Sequence, residues 1–201
     1  MGFFDRPVAA PAPELEPPTP PRPAWMKPEA VFPSLVPEHR LLAHIGSAAI
    51  AIGGLLAYPT GFEFTVTAVL RTPDRRPDLP HHDIHQMGYW AGRPLPAEFL
   101  RVGVQFADGS SITNLDRHAF PPLDAEPAGP VLIPASAEAD DRRRVAHYWV
   151  WPLPPSGPVA FVVEWPGYGI PESRVEVDGQ LILDAAARAV RLWPEADEAT
   201  D

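Results

Sequence analysis

The chain has 201 residues, is 45% hydrophobic and carries a formal charge of −10 at neutral pH. Its size and apolar content fit one domain with a real core, and its negative charge disfavours binding to phosphate backbones or anionic membranes. It holds no cysteine, which excludes disulfides, thiolate catalysis and cysteine-based zinc sites.

The first residues, Met1 to Pro7, lack the charged and then apolar pattern of a secretory signal, and Arg6 stands where myristoylation wants Ser or Thr. The expectation is a cytoplasmic protein with no nucleic-acid partner and no membrane association. Residues 7–37 contain 11 prolines and few large apolar side chains. Such a segment cannot bury enough surface to offset the entropy of ordering it. A disordered proline-rich tail is therefore predicted over residues 1–37, a folded domain over 38–194 and an acidic C-terminal tail over 195–201. The run from Pro17 to Pro23 favours polyproline II, as a stiff spacer or a PxxP-like ligand. Phe3 and Phe4 stand at the tip of this tail as apolar anchors for a partner's groove.

Leu41 to Tyr58 holds no charged residue apart from His44. It is rich in small residues and is read as a buried strand pair rather than a membrane span, with Gly53-Gly54 marking a bulge or close packing. Tyr58-Pro59-Thr60-Gly61 reads as a turn. In the following strand Phe62, Phe64, Val66, Ala68 and Leu70 share one face, and Glu63, Thr65, Thr67 and Arg71 the other. Residues 72–98 form a long proline-punctuated connection. Leu100, Val102, Val104 and Phe106 then alternate with polar residues up to Asp108-Gly109, a hairpin turn signal, and Ser111–Leu115 is the return strand. A second proline-rich loop is predicted over about 120–144. Val145–Trp151, Val159–Trp165 and Arg174–Val177 read as strands. One helix is predicted over about Gly179–Leu192, capped by Asp178 and stopped by Pro194, with Ile182, Ala186, Ala189, Val190 and Trp193 near one face. Short strands separated by turn signals predict an all-β fold: a two-sheet immunoglobulin-like β-sandwich with a short C-terminal helix.

Basic residues are 15 arginines and one lysine, Lys27, beside abundant Ala, Pro and Gly. With that composition, the phrases Tyr58-Pro59-Thr60-Gly61-Phe62-Glu63-Phe64, Leu100 to Gly109, Glu164-Trp165-Pro166 and Ala185 to Ala189 resemble a family of small β-rich hypothetical proteins of high-GC bacteria. The resemblance spans about residues 45–194. It implies no activity, because that group has none assigned.

The sharpest chemical cluster is His81-His82-Asp83-Ile84-His85. His81 and His85 are four apart and meet one metal if the segment makes a helical turn; His81, His82 and His85 are the candidate metal ligands. A further ligand would come from Asp116, His118 or His147. Trp149 and Trp151 share one strand face, which is either core or a sugar-stacking platform. The loop Pro166 to Ser173 is shaped by two glycines and two prolines and is flanked by Glu164 and Glu172, a carboxylate pair or simply a structural turn. Arg142, Arg143 and Arg144 follow Asp140 and Asp141 and read as a solvated loop of mixed charge. There is no GxSxG, P-loop or dinucleotide fingerprint. The resulting expectation is a non-catalytic protein-binding or assembly module with a protein partner and no cofactor. The alternatives are a metal-binding protein or metal-dependent hydrolase built on the 81–85 histidines, and a carbohydrate-binding module.

Overall fold

The computed structural model describes residues 22–74, 98–116, 121–122 and 125–193. Among them the chain is mostly β. Its strands are β1 (Val31–Phe32), β2 (Ser34–Leu35), β3 (Arg40–His44), β4 (Ala48–Ala57), β5 (Phe62–Leu70) and β6 (Arg101–Gln105). They continue as β7 (Ser111–Thr113), β8 (Val131–Ala139), β9 (Arg143–Trp151), β10 (Pro158–Trp165), β11 (Ile170–Asp178) and β12 (Val190–Arg191). A single helix, α1 (Gly179–Ala186), follows β11.

The larger sheet has the order β2-β4-β5-β9-β8, with β3 also paired to β4. The smaller has the order β11-β10-β6-β7, and β1 and β12 form a two-stranded ribbon. Every pairing is antiparallel. The two large sheets share one core. Phe64 of β5 meets Phe161 of β10 edge to face, with ring centroids 5.0 Å apart. Phe62, Val66, Val102, Val104 and Val163 are all 2% exposed or less around that contact.

The alternation in β5 places its side chains as expected. Phe62, Phe64, Val66, Ala68 and Leu70 are buried, while Val69 on the other face is 46% exposed. Leu41 to Tyr58 forms the β3–β4 hairpin, with a register shift between Gly53 and Leu56 where the glycine pair stands. Asp108-Gly109 makes the β6–β7 turn: Gly109 adopts φ 87°, and the Phe106 N–H donates to the Ser110 carbonyl at 2.8 Å. Positive φ at that position costs glycine little.

Three expectations need correction. The tail predicted over 1–37 does not extend that far, because Trp25 is 3% exposed, Val36 is 1% exposed, and β1 and β2 pair with β12 and β4. One tryptophan buries enough apolar surface to hold a proline-rich segment down. The loop predicted over 120–144 contains the nine-residue strand β8, which accommodates Pro134 at the sheet edge beside a register shift between Pro134 and Ser136. The helix ends at Ala186 rather than Leu192. The Arg188 and Ala189 N–H groups close a turn on Ala185 and Ala186, after which Val190 pairs with Phe32. Val190 and Trp193 are therefore 58% and 67% exposed instead of lying on a buried helix face. The cap itself is as expected, since the Asp178 carboxylate accepts from the Gln180 N–H at 2.9 Å.

Among the described residues no helix is long and apolar enough to cross a membrane. Residues 195–201 lie outside the described residues.

Candidate functional site

His81, His82 and His85, and likewise Phe3 and Phe4, lie outside the described residues, as does His118. The other proposed metal partners are engaged elsewhere. Asp116 accepts from the Thr113 N–H at 2.6 Å and from its hydroxyl at 2.7 Å, and His147 Nδ1 pairs with Thr65 Oγ1 at 3.0 Å. Among the described residues no three His, Asp or Glu side chains converge as a metal cage would require.

Trp149 and Trp151 stand on the outer face of the larger sheet, because Tyr148 and Val150 take the core face. Trp149 is nonetheless only 2% exposed. The segment around Trp25 lies over it. The Trp149 indole N–H donates to the Trp25 carbonyl at 2.9 Å, and the Trp25 indole N–H donates to the Ala125 carbonyl at 3.1 Å. Gly61 presses against the same ring, where an added Cβ would come within 2.6 Å of it. Tyr58 meets the ring edge-on at 5.4 Å. Glu63, 9% exposed, receives Lys27 Nζ at 2.7 Å and the Tyr58 hydroxyl at 2.8 Å, which fastens this arm to the sheet. The covered indole presents no stacking face for a sugar, and Trp151 beside it is half-buried.

Burial raises the Tyr58 phenol well above its ordinary value, with the Glu63 carboxylate adding to the effect, and burial does the same to Tyr148. In the unfolded chain both phenols ionise near pH ~10. The folded state holds them neutral, so their contribution to stability is complete below that pH and is lost as the pH rises through it. Thermal melts are expected to show Tm falling above pH ~10, with a shallower fall in Tyr148→Phe. An unchanged slope in that variant would contradict the assignment.

The two carboxylates flanking the Pro166–Ser173 loop both line one trough on the smaller sheet. Glu164 forms an ion pair with Arg101, and Glu172 is exposed on the rim of this trough, whose volume is about 340 Å³. Tyr168 from this loop instead bonds to Asp74. Asp74 is 8% exposed and also receives Arg144 Nη2 at 2.8 Å. The Arg144 guanidinium lies over the Trp165 ring at 5.5 Å and the Tyr168 ring at 5.9 Å. The solvated-loop expectation is thus wrong for Arg144, itself 8% exposed, and for Arg143, which is exposed but begins strand β9, while Arg142 is exposed in the turn before it. Sequence carried the signal: Arg144 alternates with Ala146, Tyr148 and Val150, the core face of β9. Among the described residues this cluster ties β9 and the 166–173 loop to Asp74 with little exposure to water.

The remaining feature is open. Phe32 and Val190 are cross-strand partners in the β1–β12 ribbon and are 64% and 58% exposed. Trp193, 67% exposed, stands three residues past Val190, and Leu35, 60% exposed, three past Phe32. The Leu192 N–H donates to the Ala30 carbonyl at 2.9 Å, which continues the ribbon toward Trp193. The helix expectation hid this surface by assigning Val190 and Trp193 to a buried face.

No family model, curated protein or solved structure matches the chain.

Proposed function

We propose that this chain is a non-catalytic protein-binding module with an immunoglobulin-like sandwich, and that it docks its partner on the β1–β12 ribbon. The strand order supports the topological part. Lettering β4 to β11 in chain order as A, B, C, C′, D, E, F and G gives one sheet A-B-E-D and the other G-F-C-C′. That is the division of strands in immunoglobulin domains. Antibody domains join B to F with a disulfide; here Phe64 on B and Phe161 on F stack edge to face in its place.

The exposed ribbon carries the functional part. Phe32, Val190 and Trp193 stay in water although the fold buries nearly all of its other aromatic side chains among the described residues. Large apolar side chains left in solvent cost free energy that a docked partner recovers, and tryptophan is the residue most enriched at binding hot spots. The test is a photo-crosslinking phenylalanine analogue at position 32, compared with one at Leu115, which is 41% exposed on the smaller sheet's side. Position 32 is expected to give adducts with another protein that disappear in Val190→Ser/Trp193→Ser, and position 115 is not. Equal adducts from both positions, or none from position 32, would refute this reading.

A further inference from the structure

We infer that the trough across the smaller sheet is a second binding site, separate from the ribbon, and that it takes a small organic cation: one apolar ring carrying an ammonium group. Four positions line up across this sheet. Thr113 of β7 faces Gly103 of β6, Gly103 faces Val162 of β10, and Val162 faces Arg174 of β11. All four lie on the outer face, because Val102, Val104, Phe161 and Val163 fill the core. No backbone demand accounts for Gly103. Its ladders to β7 and β10 run without a register shift, and its φ is not positive. An added Cβ would meet the Thr113 methyl at 3.3 Å and raise the floor. A glycine inside a regular strand often marks a place where a ligand comes close to the backbone. The Arg101–Glu164 ion pair closes one end of the trough. Arg174 closes the other, since its Nη1 reaches across β10 to donate to Gln105 Oε1 at 2.7 Å. Between these bridges the lining is Gly103, Val162, Thr113 and Leu115, the last 41% exposed. The volume, about 340 Å³, is at the small end of ligand pockets and suits one ring with a short chain.

Charge decides the class of ligand. Arg101 is neutralised by Glu164, and Arg174 by Glu176 at 3.2 Å. Glu172, exposed on the rim, makes no hydrogen bond or ion pair among the described residues. Asp116, next to Leu115 in the chain, accepts from the neutral N–H and hydroxyl of Thr113 and so adds to the negative side. The net charge of −10 draws cations toward the chain at longer range. An apolar ring fits the floor of Gly103 and Val162, and an ammonium group meets the Glu172 carboxylate. A carboxylate ligand would find both guanidinium groups of the lining already paired. Arg117, which follows Asp116, lies outside the described residues and is present in the full chain used below.

The probes are phenethylamine, phenethyl alcohol and phenylacetate, which share a ring and differ in charge. Each is titrated into the isotope-labelled full chain while the amide resonances of Gly103, Thr113 and Val162 are followed by NMR. Phenethylamine is expected to shift these amides with millimolar affinity, which is what a ligand of this size attains, and to bind about tenfold more tightly than phenylacetate. Glu172→Gln, at an exposed position that spares the core, is expected to weaken phenethylamine about threefold to tenfold and to leave phenethyl alcohol unchanged. Gly103→Ala is expected to weaken all three probes by a similar factor, because it fills the floor. The inference is overturned if no probe shifts these amides, if phenylacetate binds as tightly as phenethylamine, or if Glu172→Gln leaves the affinity for phenethylamine unchanged. Each of these results leaves the ribbon reading in place, since that is decided by the crosslinks from position 32.

Discussion

Phe64→Asp is expected to yield no soluble folded protein, while Val69→Asp, on the same strand, melts within about 2 °C of wild type. Phe64 is fully buried, stacked on Tyr148 at 5.4 Å and set edge-on to Phe161 at 5.0 Å. Removing the ring from such a site costs about 3–5 kcal/mol. Leaving an unpaired carboxylate there adds several kcal/mol more. The sum approaches or exceeds the ~5–15 kcal/mol that holds a typical domain together. Val69 is half in water and faces Arg143 across the β5–β9 ladder, so an aspartate there gains an opposite charge as its neighbour. Solubility and thermal melts of the two variants read the comparison directly. A folded, soluble Phe64→Asp would mean the two sheets do not share the core described above.

Asp74→Ala is expected to cost about 3–5 kcal/mol, a drop in Tm on the order of 10 °C, and Arg144→Met in the same background restores most of it. The cost lies in what is left behind rather than in what is removed. Arg144 is 8% exposed and lies over the Trp165 and Tyr168 rings, which contact each other. Without Asp74 its charge has no compensating carboxylate among the described residues, in a site that water barely reaches. Replacing it with a methionine of similar reach removes the stranded charge and keeps the packing against the two rings. Chemical denaturation of wild type, both single variants and the double variant gives the coupling energy. Additive losses would show that the pair is not coupled and that the cluster is held by its rings alone.

The parts of this fold that could be read in the sequence are those where one strand face is buried and the other wet. β5 is the clearest case, since a period of two places Phe62 to Leu70 without knowledge of any neighbour. β6 and the Asp108-Gly109 turn follow the same logic. β8 was hidden because Pro134 reads as a breaker, and only its place at a sheet edge beside a bulge makes it tolerable. The end of α1 was hidden for a different reason. Residues 187–190 are compatible with helix, and what stops it is pairing with Phe32, more than 150 residues earlier in the chain. Local propensity cannot register a partner that distant. The open ribbon was hidden with it, because a helix face turned to the core presents no surface to a partner. Trp25 escaped notice because a single anchor among prolines has no period. Arg144 was legible in β9's alternation, but its charge outweighed the pattern.

The arm over Trp149 also sets an order of events for the growing chain. Trp25 is bonded to Ala125, 100 residues downstream, and receives the Trp149 indole N–H from 124 residues downstream. During synthesis residues 22–29 are made well before β9 and can dock only after β9 exists to receive them. Closing loops of that length is entropically expensive, and folds dominated by such distant pairings assemble slowly. The arm therefore leaves the ribosome about 100 residues before its partners and is among the last segments to find its place. Its high proline content keeps it from forming premature helix or sheet of its own while it waits.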